Sequence, residues 1–221
     1  MKIAAIWRYP VKSMAGEPLR AAELRPDGLL GDRVVHVQDG EGRILTARAH
    51  PRLLAHRAAL GPDGEPLVDG RPWNDPDVAR DVERAAGRGA RLVRYEGVER
   101  FDVLPLLVAT DGAIRAFGRD GRRLRPNLIV GDVPGLAERE WPGRVLQAGR
   151  TLIGVATLRA RCVMTTWDPD TLEQDHGVLR RIADVFGGRL ALDCRVLRGG
   201  PVAVGDPVEL LEGDQRAFFA S

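Results

Sequence analysis

Apolar and polar positions alternate along this chain in short runs that end at Gly, Pro or Asp. Many of the runs are rich in β-branched residues and have the length of a strand, which indicates a β-rich protein. The tetrapeptide Asp39-Gly40-Glu41-Gly42 separates two of them and predicts a hairpin turn. The predicted strands are residues 2–7, 34–37, 43–46, 92–95, 104–109, 128–130, 145–147, 151–158, 190–197 and 208–211.

Helical spacing is rarer. It occurs at residues 75–86, 112–117 and 177–186. The first segment has Pro76 near its start, Thr110 or Asp111 can cap the second, and Gly187 is placed to end the third. One face of the third segment carries Val178, Ile182, Val185 and Phe186. The fold class is therefore mainly β with a few helices, in a barrel-like or sandwich-like architecture.

Residues 61–89 form the least regular stretch, rich in Gly, Pro, Asp and Arg. This composition is typical of a connection between units. We expect it to join an N-terminal β unit, residues 1–90, to a larger C-terminal unit, residues 91–215.

The overall charge is nearly balanced, with 33 Lys and Arg against 31 Asp and Glu. This balance disfavours nucleic acid or an anionic membrane as the main partner. The N-terminus does not have the pattern of a signal peptide, and we find no apolar run long enough to span a membrane, so we expect a cytoplasmic protein. The two cysteines, Cys162 and Cys194, are too few for an iron–sulfur cluster or a Cys-rich zinc site.

Cys162 is the first candidate for chemistry, because it follows a strand-like run and has Arg159 and Arg161 beside it. Nearby positive charge favours the thiolate, which is the nucleophilic and metal-binding form of cysteine. A soft thiolate suits molybdenum, copper or zinc. The alternative is a buried structural cysteine that packs as a small apolar residue.

Polar groups that suit an anion occur in three other places. Lys12 and Ser13 follow the first predicted strand and offer an ammonium and a hydroxyl to a phosphate, although an ordinary turn explains them equally. Arg33 offers a planar fork to an oxyanion. The run Arg122 to Asn127 holds three arginines, and it is either a solvated charge run or part of a site. Its position directly before a predicted strand favours an ordered site.

Taken in order, the motifs carry a resemblance that none carries alone. They are Tyr9-Pro10-Val11-Lys12-Ser13, Gly28-Leu29-Leu30-Gly31-Asp32-Arg33, Thr46-Ala47-Arg48 with Pro51-Arg52-Leu53, Arg125-Pro126-Asn127, Arg161-Cys162-Val163-Met164-Thr165-Thr166-Trp167-Asp168-Pro169-Asp170-Thr171, and Val204-Gly205-Asp206-Pro207-Val208. This order resembles the MOSC family, in particular its members with an N-terminal β-barrel domain, a group that includes the mitochondrial amidoxime-reducing component and its bacterial relatives. The resemblance covers residues 2–212.

The resemblance implies a MOSC β-barrel plus a smaller N-terminal β-barrel-like domain, with a molybdenum cofactor (molybdopterin and Mo) between them. It implies that Cys162 ligates the metal and marks the catalytic position. It also implies that the cofactor's phosphate and pterin are held by Lys12, Ser13, Arg33, Arg125, Asn127 and Arg161. One departure is Ala160, where related proteins can offer a serine hydroxyl, so we expect one cofactor contact to be missing.

The activity implied is that of an oxidoreductase that reduces N-hydroxylated small molecules such as amidoximes and hydroxylamines. The chain lacks the cysteines of a ferredoxin-like domain, so we expect electrons from a separate flavoprotein or ferredoxin-type donor. The alternative is a sulfur carrier or cofactor-handling module with a persulfide on Cys162. In the family, that role accompanies a pyridoxal phosphate-dependent desulfurase domain, and Lys12 alone is no evidence for pyridoxal phosphate.

Overall fold

The computed structural model describes residues 1–95, 97 and 100–213. The strands are β1 (Lys2–Arg8), β2 (Glu17–Leu19), β3 (Ala21–Arg25), β4 (Gly28–Leu29), β5 (Val35–Gln38), β6 (Ile44–Leu45), β7 (Ala58–Leu60), β8 (Pro66–Val68), β9 (Arg71–Pro72), β10 (Arg91–Arg94), β11 (Leu106–Thr110), β12 (Leu128–Gly131), β13 (Val145–Ala148), β14 (Thr151–Ala160), β15 (Arg189–Arg198), β16 (Gly200–Ala203) and β17 (Glu209–Leu211). The α-helices are α1 (Pro76–Ala86), α2 (Asp111–Phe117) and α3 (His176–Phe186). Short 3-10 helices cover Pro51–Ala55, Gly121–Leu124, Ala137–Glu140 and Val163–Thr166.

The main sheet has eight strands in the order β17-β13-β14-β15-β11-β12-β1-β2. Its pairs are antiparallel except for β11 with β12, which run parallel. A bridge between Lys2 and Pro207 brings the segment before β17 against the start of β1. Pro207 has no amide hydrogen to donate to a ladder, which limits pairing there. The mainly β prediction is thus confirmed, whereas the sheets, as far as they are described, do not close into barrels.

The core under this sheet is built from the alternating inward positions of its strands. They include Ile3, Ile6, Leu106, Leu128, Val155 and Leu192. Cys194 belongs to the same cluster and is fully buried. Burial raises the pKa of the Cys194 thiol well above its ordinary value, which keeps it protonated and inert.

A second core lies under β5, β8 and α1. Val78, Val82 and Ala86 of α1 are buried in it, because their spacing places them on one face of the helix. The N-terminus of α1 is capped by Asp75, whose carboxylate accepts a hydrogen bond from the Asp77 amide. The stretch 61–89, which we expected to be a connection, therefore belongs to this core. The division of the chain at residue 90 stays a prediction.

The helices α2 and α3 pack together in a third cluster around Phe117, Ile182 and Phe186. Gly187 adopts a left-handed conformation at the end of α3, as predicted. Val185, which was predicted on the apolar face, lies at its edge and is 55% exposed. No helix within residues 1–95, 97 and 100–213 is long and apolar enough to cross a membrane.

Candidate functional site

Loops from both halves of the chain meet at one cavity, which we call the cationic cavity. It encloses about 750 Å³ of empty space, counted out to its open mouth. Every residue that the motifs single out lines it, namely Lys12, Ser13, Arg33, Arg125, Asn127, Arg161 and Cys162. The fold therefore brings together residues as distant as Lys12 and Cys162, which lie 150 positions apart in the sequence.

Lys12 and Ser13 lie in the loop after β1, which is tied to β5 by a hydrogen bond from the Lys12 amide to the Val35 carbonyl. The Lys12 ammonium is only 8% exposed and donates to the Arg100 carbonyl at 2.8 Å. Ser13 has a left-handed backbone with φ of 71°, and its hydroxyl accepts a hydrogen bond from the Ala47 amide at 3.0 Å. The turn is therefore tightly constructed, with both polar groups held in fixed positions.

Arg33 and Arg125 both stack on the ring of Tyr9. Their guanidinium carbons lie 5.1 and 4.3 Å from its centroid, which is a cation–π arrangement. Arg33 also pairs with the buried carboxylate of Asp32, and Arg125 donates to the Met14 carbonyl at 2.8 Å. Burial, with the neighbouring Arg33 guanidinium, lowers the pKa of Arg125 to about 10. At neutral pH Arg125 therefore remains charged.

Asn127 is placed differently from the cationic residues. Its amide oxygen accepts from the Leu107 backbone at 3.1 Å, and its amide nitrogen donates to the Trp7 carbonyl at 3.3 Å. The side chain thus ties β1, β11 and β12 together behind the cavity. One amide hydrogen remains for a ligand.

Arg161 and Cys162 follow directly on β14, at the start of the 3-10 helix Val163–Thr166. The Cys162 thiol is free and partly exposed in the cavity wall. One nitrogen of Arg161 donates to the Leu124 carbonyl at 2.9 Å, while Nε and Nη1 are buried without a hydrogen-bond partner among the described residues. Burial and the Arg159 guanidinium lower the pKa of Arg161 to about 10. A buried cation with two unsatisfied donors beside a free thiol is well suited to an anionic ligand.

Two carboxylates in the cavity were missed by sequence reasoning. Asp102 pairs with Lys12 at 2.8 Å, with Arg48 at 2.5 Å and with Arg159 at 3.7 Å. Burial alone raises the pKa of Asp102, but these ion pairs outweigh it and hold the pKa below its ordinary value. Asp193 accepts from Arg159 at 3.0 Å, yet burial raises its pKa.

Six cations line the cavity against these two carboxylates. The cations are Lys12, Arg33, Arg48, Arg125, Arg159 and Arg161. The excess positive charge favours a ligand that carries several negative charges, such as a phosphate with a further anionic group. Among the described residues no group of three or more His, Cys, Asp or Glu side chains is placed to hold a metal ion.

A second cavity, which we call the aromatic cavity, shares Arg125 and Met164 with the cationic one. Its walls carry the rings of Trp7, Tyr9 and Trp167. The remaining lining residues are Ala15, Gly16, Pro18, Leu54, Arg57, Arg122, Arg123 and Pro169. The lining includes Tyr9, Arg125, Met164, Trp167 and Pro169 of the quoted motifs, but the motif order gave no indication that a second cavity forms beside the first.

Comparison with known families accounts for both halves of the chain. Residues 1–100 match the family model described as the MOSC N-terminal beta barrel domain, and residues 114–209 match the MOSC domain. The chain belongs to the MOSC family.

This MOSC protein is similar to two curated groups of relatives. It is 25% identical to the mitochondrial amidoxime-reducing component 1 of Homo sapiens, over 95% of this chain and 82% of that protein. It is 27% identical to the mitochondrial amidoxime reducing component 2 of Macaca fascicularis, over 93% and 82%. Among solved structures, the YuaD protein of Bacillus subtilis aligns with a TM-score of 0.49 and 11% identity, over 96% of this chain and 95% of that chain.

Proposed function

We propose that this MOSC protein binds a molybdenum cofactor in the cationic cavity and reduces N-hydroxylated compounds there, with Cys162 as the protein ligand of the metal. The observation that carries the proposal is the free thiol beside Arg161, whose two unsatisfied donors lie in a wall with six cations against two carboxylates. The relatives named as amidoxime-reducing components support the same class of reaction.

The residues present suit the cofactor. Arg161 and Arg125 would hold its anionic groups, since a phosphate and a dithiolene both require cationic donors. Lys12, Ser13 and Arg33 line the same cavity and would bind the phosphate and pterin. When bound, the cofactor supplies a two-electron redox centre with an affinity for the substrate oxygen.

The reaction consumes protons as well as electrons. An amidoxime takes up two electrons and two protons, its N–O bond breaks, and an amidine and water leave. The electrons would come from a separate donor protein. Asp193 is the cavity carboxyl better suited to hold a proton, because burial raises its pKa. Asp102 would stay ionised and orient Lys12, Arg48 and Arg159.

The accessible thiol of Cys162 also suits a second function, that of a sulfur carrier with a persulfide on this residue. Pyridoxal phosphate has no place in either proposal. The Lys12 ammonium is bound to the Asp102 carboxylate and the Arg100 carbonyl, and is therefore not free to act as a nucleophile.

The test compares the native protein, Cys162→Ser and Cys194→Ala after production in cells that make the cofactor. We expect stoichiometric molybdenum and pterin in the native protein, with anaerobic reduction of benzamidoxime by a reduced viologen dye. Cys162→Ser should lose both the metal and the activity, because serine replaces the soft thiolate ligand. Cys194→Ala, which changes a buried core thiol, should keep both.

Full molybdenum and full reductase activity in Cys162→Ser would refute the assignment of Cys162. Native protein without molybdenum but with a persulfide on Cys162, detected by intact mass before and after reduction, would favour the sulfur carrier.

A further inference from the structure

The aromatic cavity concentrates ring surfaces in a chain that has few of them. The sequence has four tryptophans and two tyrosines, and two of those tryptophans and one of those tyrosines line this cavity. Trp7 and Trp167 come from opposite ends of the chain, so their meeting is a product of the fold. Partly exposed aromatic walls of this kind stack on planar ligands.

The wall also contains an unsatisfied donor. The indole nitrogen of Trp167 is buried and has no hydrogen-bond partner among the described residues. A buried N–H without a partner destabilises the folded state. An acceptor atom on a bound ring would therefore stabilise this wall.

Arg57 adds a cation that no carboxylate neutralises by direct contact. Its side chain is exposed and makes no hydrogen bond or ion pair with the part of the chain that the structure describes. The two other arginines of the lining, apart from the shared Arg125, are already paired. Arg122 binds Asp170 at 2.5 Å, and Arg123 binds Asp168 at 2.8 Å. Among the described residues that line the aromatic cavity, Arg57 is therefore the cation that is available to an anionic group.

We propose that the aromatic cavity binds the non-reacting part of the substrate, a planar aromatic ring that carries a carboxylate. The ring stacks on Trp7 and Trp167, the carboxylate pairs with Arg57, and the N-hydroxylated end lies toward the wall shared with the cationic cavity. Arg125 and Met164 form that wall, and Met164 lies two residues beyond Cys162. The assignment of the N-hydroxylated end rests on the proposed function, whereas binding of the ring and carboxylate does not.

Binding is tested first with two compounds that cannot be reduced, 4-carbamoylbenzoate and benzamide, titrated against the full chain and followed by tryptophan fluorescence. The native protein should bind the carboxylate compound more tightly. Arg57→Gln should weaken 4-carbamoylbenzoate about tenfold, the effect of one lost charge-assisted hydrogen bond, and leave benzamide unchanged. Arg52→Gln is the matched control, since Arg52 is also exposed and unpaired among the described residues but does not line the cavity.

A second variant tests the ring. Trp167→Leu should weaken both compounds about threefold to tenfold, because stacking contributes to each. If the affinity for 4-carbamoylbenzoate is the same in the native protein, Arg57→Gln and Trp167→Leu, the carboxylate binds elsewhere, for example in the cationic cavity. That result would overturn the proposal.

Kinetics then connect the cavity to the reaction. With molybdenum-loaded protein, Arg57→Gln should raise KM for 4-carboxybenzamidoxime about tenfold and leave kcat, and both constants for benzamidoxime, unchanged. Binding of the carboxylate compound through Arg57 without any reductase activity would refute the proposed function and leave the binding site intact. Reductase activity with the same KM for 4-carboxybenzamidoxime and benzamidoxime would refute the proposed binding site and leave the proposed function intact.

Discussion

The two cavities lie on either side of one wall and differ in nearly every property. The cationic cavity holds six cations, two carboxylates and a free thiol, and its Lys12 and Asp193 are buried. The aromatic cavity holds three rings, two prolines and four arginines, of which Arg57 is exposed and has no direct partner among the described residues. Buried, crowded charge favours one kind of highly anionic ligand, whereas ring surfaces select among many small molecules by shape. We therefore expect the cationic cavity to hold a permanently bound group and the aromatic cavity to bind small molecules reversibly.

Tyr9 supports the Arg125 side of the wall between them. The guanidiniums of Arg33 and Arg125 both stack on its ring, and its hydroxyl donates to the Pro126 carbonyl at 3.3 Å. Burial raises the pKa of Tyr9 to about 12, so the phenol stays neutral at ordinary pH. A neutral, hydrogen-bonded ring thus positions Arg125 at the shared wall without adding charge to either cavity.

The largest effect that distinguishes the two cavities is expected from Arg161→Met. In apoprotein we expect at least about a tenfold loss of affinity for sulfate, because the buried donors of Arg161 are removed. We also expect a higher midpoint of thermal unfolding, since a charge whose buried donors lack partners is costly to the folded state. The lost hydrogen bond to the Leu124 carbonyl offsets part of that gain.

Calorimetry and thermal unfolding measure the two effects, and the affinity of the aromatic cavity for benzamide is the control. A variant that binds sulfate as the native protein does, or that weakens benzamide to the same degree, would break the distinction between the cavities.

The next test uses pH. Burial lowers the pKa of both Arg125 and Arg161 to about 10, and a bound anion favours their charged forms. The affinity for sulfate, which stays fully ionised, should therefore be constant at lower pH and fall as pH rises through about 10. Benzamide binding should stay flat over the same range while circular dichroism confirms the fold. A sulfate affinity that does not change between pH 8 and 11 would contradict the assignment of these arginines to the site.

The contrast also explains which parts of the site could be predicted. Motif order predicted Cys162, Lys12, Arg33, Arg125 and Arg161 as site residues, because loops at strand ends carry polar patterns that can be compared between proteins. Asp102 was missed, because its importance comes from three cations that meet it only in the fold. Asp193 had one signal, a charge inside the apolar run of β15, that was not used.

The strands, too, fall into a group that could be predicted from the sequence and a group that could not. Long strands such as β14 and β15 were predicted, since several consecutive positions alternate or stay apolar. The short strands β2, β4 and β9 were not, because two or three residues carry too little periodicity. Each pairs with a strand that lies close to it in the sequence, whereas the aromatic cavity depends on contacts between residues that are far apart in the sequence.

The smallest effect is expected from Ala160→Ser. Ala160 is exposed in the lining of the cationic cavity at the end of β14, so a hydroxyl fits there without strain. One added hydrogen bond stabilises a bound group by about 0.5–1.5 kcal/mol, which corresponds to about twofold to tenfold slower loss of molybdenum on dilution. Ala156→Ser on the same strand, outside the cavity, should leave that rate unchanged. If Ala160→Ser also loses molybdenum at the native rate, the missing hydroxyl does not limit cofactor binding, and Cys162 together with the cationic side chains determines how long the cofactor stays bound.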